Sequence, residues 1–275
     1  MSLVAVVTPI YKSEINLDEH ISLDSFRKYL KNYDHFAVMP DGLAGESTSY
    51  FNTNKIIRFP REYFFSIEGY NRLLISSRFY RAFANYKFIL IAQLDALVIK
   101  DELEFWCDKG FDYIGAPWSD RYRTNGGSNF EKVGNGGFSL RKVISALRVL
   151  DKKVSQQPDY TIGYPPRWWY WKRVKKVMLF LGSMRCFLPH VSVEKFLRRH
   201  YHFNEDIFWG VHAKQLDPEF CVADVSNALK FAFESNPRGS FEKNGCKLPF
   251  ACHAWARYDR EFWEEMGTLT PQPQC

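Results

Sequence analysis

The sequence predicts an α/β protein in which helices sandwich a mostly parallel central sheet, within a single domain. Phe88-Ile89-Leu90-Ile91-Ala92 is an unbroken apolar run between Lys87 and Gln93, the pattern of a strand buried on both faces. Leu3 to Val7 is a second run of the same kind. Between such runs lie stretches with helical spacing, Leu23 to Tyr33 and Glu68 to Asn85, and that alternation builds parallel sheets.

The first strand, Leu3 to Val7, runs into Thr8-Pro9-Ile10-Tyr11, where Pro9 ends it. Phe26, Leu30 and Tyr33 share one face of the helix that follows. His35 to Met39 is the second strand, stopped by the turn residues Pro40-Asp41-Gly42. An acidic residue at that place in a nucleotide-binding sheet commonly meets a ribose hydroxyl, so turn and contact both stay open for Asp41. Ile56 to Phe59 is a short third strand, and the helix Glu68 to Asn85 turns Tyr70, Leu73, Leu74, Phe79 and Phe83 inward before the central strand.

After that strand, Gln93-Leu94-Asp95 interrupts the apolar sequence, which resumes at Leu97-Val98-Ile99. An ionised carboxylate buried between apolar segments costs several kcal/mol unless it is paired. Asp95 is therefore expected where the sheet ends and a cation can reach it, with a helix or turn cap as the structural alternative. Phe111 to Trp118 reads as a strand and a small-residue loop, with Trp118 available to stack on a sugar, and Arg121 to Asn129 as a polar, mobile loop. Gly134-Asn135-Gly136-Gly137 strips side chains from the backbone just before an apolar strand. It lacks GxGxxG spacing and follows no first strand, which disfavours a dinucleotide fold; a tight turn with a bulge is the alternative.

Pro165-Pro166 open a segment in which Trp168 to Leu181 combines tryptophans, an apolar face and Lys172, Arg173, Lys175 and Lys176. That composition fits a helix lying in anionic headgroups, or an ordinary packed helix with a solvated basic face. Asn204-Glu205-Asp206 sets two carboxylates among aromatic residues, where desolvation raises a pKa and makes a general base; Asn204 also fits a helix cap. His253 stands in Phe250 to Trp255, and a lone histidine in such a strand is more often core than ligand. Ala254 to Met266 reads as a last helix ending at Gly267, with 268–275 as a disordered tail.

Length and composition bound the function. A chain of 275 residues, 46% hydrophobic and 25% charged, can bury a large core. A net charge of +6 suits a nucleotide diphosphate, an acidic glycolipid or a phospholipid surface, and no nucleic-acid fingerprint accompanies it. The six cysteines lack metal or redox spacing and read as free thiols of a reducing cytosol. The apolar start has no basic region or cleavage site, and no run reaches the ~18 apolar residues that span a bilayer.

In order, Gln93-Leu94-Asp95, Gly134 to Arg141 (GNGGFSLR), Asn204-Glu205-Asp206 and His253 resemble the motifs of GT-A fold glycosyltransferases, closest to a poorly characterised bacterial-type branch, over Leu3 to about Trp255. The resemblance implies a GT-A-like, Rossmann-like sandwich over 1–267, with 159–190 as a basic and aromatic insertion. It implies inverting, metal-dependent transfer of a hexose from a UDP- or GDP-sugar to a hydroxyl of a glycan or lipid-linked glycan, as in polysaccharide biosynthesis. Asp95 and His253 would hold Mn²⁺ or Mg²⁺, Asp206 would be the base, and Glu205 would orient the acceptor. Thr8, Pro9, Tyr11, Asp41, Asn71, Arg78, Gln93 and Asp95 would meet the donor nucleotide. Trp118, Asn135, Gly136, Gly137, Trp209 and Trp255 would meet the sugars. Gln93 departs from the family's aspartate: its amide can hydrogen-bond but adds no charge for a metal. The expected location is the cytoplasm, peripheral on the inner face of a membrane through Trp168 to Leu181. Two rivals stand beside this expectation: a metal-dependent hydrolase using Asp95, His200, His202, Glu205 and His253, and an inactive membrane-surface binding module.

Overall fold

The computed structural model describes residues 1–51, 55–119, 130–154 and 191–269. The Arg121 to Asn129 loop, the Trp168 to Leu181 segment and the end of the tail lie outside the described residues.

The central sheet has six strands. β1 (Ser2–Pro9), β2 (Asp34–Pro40), β3 (Ile56–Phe59) and β4 (Tyr86–Ala92) are parallel neighbours in the order β3-β2-β1-β4. The chain leaves β1 toward β2 and β3, then crosses back to add β4 on the other side. Such a reversal opens a crevice at the carboxyl ends of the two middle strands, where α/β sheets bind ligands. Beyond β4 the sheet turns antiparallel. β5 (Leu97–Val98) leaves it, β6 (Tyr113–Gly115) forms its far edge, and β7 (Pro117–Ser119) pairs with β8 (Phe130–Val133) in a separate hairpin. β9 (Phe138–Lys142) fills the gap between β4 and β6, antiparallel to both.

Both faces are covered, so the strands alternate between two cores. Ala5, Val7, Ile89 and Ile91 pack on one side, while Val4, Val6, Phe88 and Leu90 pack on the other. A second, three-stranded sheet in the order β10 (Ala232–Phe233), β11 (Ala251–Cys252), β5 closes over a smaller core with Trp255, Phe262 and Trp263.

Three helices differ from the sequence expectation, each for a local reason. α1 (Leu17–Tyr29) starts before Leu23 because Asn16 and Glu19 form a reciprocal capping box, and it ends before Tyr33. The stretch expected as one helix from Glu68 to Asn85 is two, α2 (Ile67–Leu74) and α3 (Ser77–Arg81). Ser76 splits them: its hydroxyl donates to the Leu73 carbonyl and accepts from the Phe79 amide, ending one helix and capping the next. The last helix spans only Arg260–Glu265, because Ala254 and Asp259 take positive φ angles of 52° and 57° and fold the intervening residues into turns. Gly267, at φ 65°, follows that helix as expected. Among the described residues no helix is long and apolar enough to cross a membrane, and Cys107, Cys221, Cys246 and Cys252 are unpaired thiols.

Candidate active site

The small sheet assembles the first group of residues. β11 pairs antiparallel with β5, Cys252 opposite Leu97, and parallel with β10, Cys252 opposite Phe233. Asp95 precedes β5, His253 follows β11 and Glu234 follows β10, so three stretches remote in sequence bring these side chains to one end of the sheet. His253 Nδ1 lies 3.0 Å from Glu234 Oε1, and Nε2 lies 3.3 Å from Asp95 Oδ1. The second contact lacks hydrogen-bond alignment, which leaves Nε2 a buried polar atom without a hydrogen-bond partner. Burial alone would lower the His253 pKa, but the two carboxylates override it and push it up to about 10. Burial would raise Asp95, yet His253 holds it below the ordinary value.

The glycine segment forms the floor. The Gln93 N–H donates to the Gly137 carbonyl at 2.9 Å, placing Gly137 at the carboxyl end of β4. A Cβ on Gly137 would stand 1.9 Å from His253 Nε2, and one on Gly136 would stand 2.1 Å from Glu205 Oε1. These two positions must be glycine because side chains from either direction fill the space. Asn135 bends the loop at φ 75° and turns its Oδ1 back onto the Gly137 and Phe138 amides at 2.9 and 3.1 Å. That fixes the amide's orientation, since a flip would set N–H against N–H, and it leaves Nδ2 buried with no partner.

The carboxylates of the 204–206 stretch stand across this floor. Glu205–Ile207 is the first turn of a helix that widens into a π-helical turn at Phe208–His212 and continues as Ala213–Leu216; π turns often mark functional sites. Asp206 accepts from the Asn135 N–H at 3.1 Å and from the Ile207 N–H at 2.9 Å. Burial, then the negative charges of Glu205 and Glu234, outweigh those bonds and raise its pKa to about 7. Glu205 faces inward, 2% exposed, and grips Arg141 with both oxygens at 2.7 and 2.9 Å. Burial would strip Arg141 of its proton, but Glu205 holds its pKa well above the ordinary value. Glu205 is thus bound to the protein itself and is not a free acceptor-orienting group.

Other expected residues divide. Asn71, on α2, donates to Asn204 Oδ1 at 3.2 Å and accepts from the Glu205 N–H at 3.3 Å, so it braces the start of that helix. The Gln93 amide donates to Tyr70 at 3.3 Å. Thr8 lies near the carboxyl end of β1 with a buried hydroxyl that has no partner, and Pro9 sits within β1 opposite Val38. Trp118 is half-buried with its ring laid over Gly134. Tyr11 is exposed, Arg78 lies over the Phe59 ring, and Asp41 is held by its backbone to Phe59 and Arg61. Trp209 and Trp255 require correction: both are fully buried, their indoles donating to the Leu74 carbonyl and the Ser22 hydroxyl, and they are core rather than sugar platforms. His200 and His202 are exposed and join none of the carboxylates above. Glu234 and Arg141 were not anticipated. A lone arginine two residues after Ser139 in an apolar strand was the legible sign of Arg141, since a buried charge demands a partner.

Among the described residues no group of three or more His, Cys, Asp or Glu side chains is arranged to hold a metal ion. Asp95 and His253 could hold an ion between them, which would displace the proton that the two carboxylates otherwise keep on the ring. Nε2 is buried without a hydrogen-bond partner and 3.3 Å from the Asp95 carboxylate, while Glu234 takes the other ring nitrogen, as outer carboxylates do for metal-bound histidines.

Solved structures with a distant likeness include a glycosyltransferase involved in glycosylation of the major capsid of PBCV-1, at 10% identity over 96% of this chain and 98% of that one, with a TM-score of 0.42. The galactosyltransferase LgtC, in complex with donor and acceptor sugar analogs, is 14% identical over 98% of both chains, with a TM-score of 0.44. Mouse xyloside xylosyltransferase 1 is 12% identical over 90% of this chain and 96% of its own, with a TM-score of 0.41. Likenesses this slight decide neither fold nor activity. No curated protein matches the sequence. Residues 53–253, which take in Asp95, Asn135, Arg141, Glu205, Asp206, Glu234 and His253, match the family described as a protein of unknown function, DUF5672, and the chain belongs to that family.

Proposed function

We propose that this protein is a GT-A-type glycosyltransferase, moving a hexose from a nucleotide sugar to a hydroxyl of a glycan or lipid-linked glycan with inversion. The observation that carries the proposal is the convergence at the carboxyl end of β4: Asp95 and His253 on one side of Gly136-Gly137, Asp206 on the other. That end of a parallel sheet is where nucleotides bind, and the two glycines let the Glu205 and His253 side chains close in on the loop from either side. A divalent cation held by Asp95 and His253 would neutralise charge gathering on the departing diphosphate. Glu234 fixes the His253 ring, and the Gln93 amide can hydrogen-bond the donor without adding charge. Asp206, with a pKa of about 7, takes the proton of the attacking hydroxyl.

Purified protein screened with nucleoside diphosphates, with and without Mn²⁺, should rise in Tm only with a matching nucleotide and more strongly with the metal. Asp206→Asn should lose transfer by a factor of about 10² or more while keeping nucleotide affinity. Asp95→Ala should lose the Mn²⁺-dependent part of that affinity. Full turnover in either variant removes the role given to it. Release of free sugar at the same rate with and without an acceptor would instead favour the hydrolase.

A further inference from the structure

The Arg141–Glu205 pair is the most deeply buried charge in the described molecule outside the groups assigned above, the side chains 1% and 2% exposed. All the donors of the guanidinium are engaged: Nε and Nη2 on the Ser139 hydroxyl at 3.0 Å, Nη1 on Tyr80 at 3.2 Å, and both terminal nitrogens on Glu205. Arg141 sits in β9 between Ile89 of β4 and Tyr113 of β6, so its position is set by the central sheet. Glu205 opens the helix whose next residue is Asp206. The circuit closes on the other side, where the Tyr113 hydroxyl donates to the Asn135 carbonyl, the Asn135 N–H donates to Asp206, and the Arg141 guanidinium lies 5.5 Å from the Tyr113 ring centre.

We propose that Arg141 is a positioning residue for Asp206, acting through Glu205: it pins the helix's first turn to the sheet and neutralises the charge nearest the base. The proposal rests on the transferase function given above. Two like charges bear on Asp206, Glu205 beside it and Glu234 just beyond β10, with the Tyr113 phenol close by, the Asn135 and Ile207 amides bound to its oxygens, and Arg141 gripping the far side of Glu205. Pairing between Arg141 and Glu205 makes the two ends of the pair act oppositely. Glu205→Gln removes the negative neighbour and leaves Arg141, which makes Asp206 easier to ionise. Arg141→Lys keeps a charge but loses the bidentate grip, which exposes Asp206 to more of the Glu205 charge and makes it harder to ionise.

The test reads the Asp206 carboxyl titration directly by ¹³C NMR on the substrate-free protein, alongside the pH dependence of transfer. The titration midpoint should fall in Glu205→Gln and rise in Arg141→Lys. The acid limb of kcat/KM should follow it, with kcat down about tenfold or more and the donor KM within a few-fold of normal. A pair that only supports the fold would lower the folded fraction and leave both midpoints in place, and that result overturns the proposal. If either single variant fails to fold, Arg141→Met with Glu205→Leu replaces it, since an apolar pair of similar size is tolerated in place of a buried ion pair. That double variant keeps the packing but lacks the pin, so kcat should still fall about tenfold with the donor KM within a few-fold of normal, and an unchanged kcat overturns the proposal. Midpoints that shift as stated in a protein that transfers no sugar would retain the coupling and reject the transferase function.

Discussion

At the scale of single residues, Asp206 and Glu205 are chain neighbours with opposite fates. Glu205 turns inward onto Arg141, which offsets part of the burial that raises its pKa, while Asp206 meets only backbone amides and two like charges and has its pKa raised to about 7. The stability consequence has a definite sign. The Asp206 pKa is about 7 in the folded chain against roughly 4 for an unfolded aspartate. Its contribution therefore favours folding below about pH 4 and is lost as pH rises through about 7. Asp206→Asn cannot titrate, so the Tm of the natural chain relative to this variant should decline between those limits and hold level beyond them. Thermal unfolding across a pH series checks this, and a rising difference would contradict the assigned burial. Glu205→Gln strands the Arg141 charge and should cost about 3–5 kcal/mol of stability, as removal of one partner from a buried pair does; a denaturant midpoint left unchanged would show the pair to be solvated.

At the scale of elements, what was legible in the sequence depended on whether one residue pattern admits one structure. The apolar runs of β1, β2 and β4 admit only buried strands, and they form where the runs lie. The stretch from Glu68 to Asn85 keeps a helical spacing throughout, which hides the break at Ser76, because the hydroxyl's hydrogen bonds interrupt the helix without disturbing its apolar face. Ser76→Ala removes the α3 cap and should cost about 1 kcal/mol, measured by denaturant unfolding, with little effect on the distant carboxylates. Trp209 and Trp255 were misplaced for a related reason: a large amphipathic ring serves a core and a ligand surface equally well in sequence. Glu234 was invisible because it follows a strand of only two residues. The glycine segment stood out, but its purpose needed the fold. Gly137→Ala would drive a methyl group into the His253 ring, displacing the imidazole from Asp95. It should abolish the Mn²⁺-dependent rise in nucleotide affinity, measured by titration calorimetry, while the far-UV signal of the fold is kept.

At the scale of the whole molecule, the candidate site belongs to neither sheet alone. Asp206 and the glycine segment hang from the six-stranded sheet through Gln93 and Asn135, while His253 and Glu234 hang from the three-stranded one. One short covalent link between the sheets is Gln93 to Ala96, where Asp95 lies, and its backbone carbonyl is itself tied to the Trp255 N–H at 3.3 Å. A ligand filling the space between Asp206 and His253 would touch both sheets, and its binding free energy would oppose any opening that separates them. Ligand at about a hundred times its Kd stabilises the bound state by about 2.7 kcal/mol, a slowing of about a hundredfold for exchange through such an opening. Nucleotide with Mn²⁺ should therefore slow hydrogen exchange together at the Gln93 N–H, bonded to Gly137, and the His253 N–H, bonded to Phe233. Amides in the last turn of α1, which can open without parting the sheets, should exchange as before. Protection confined to one sheet would place the ligand elsewhere, because a molecule reaching Asp95 and Asp206 at once cannot stabilise one sheet and leave the other free to open.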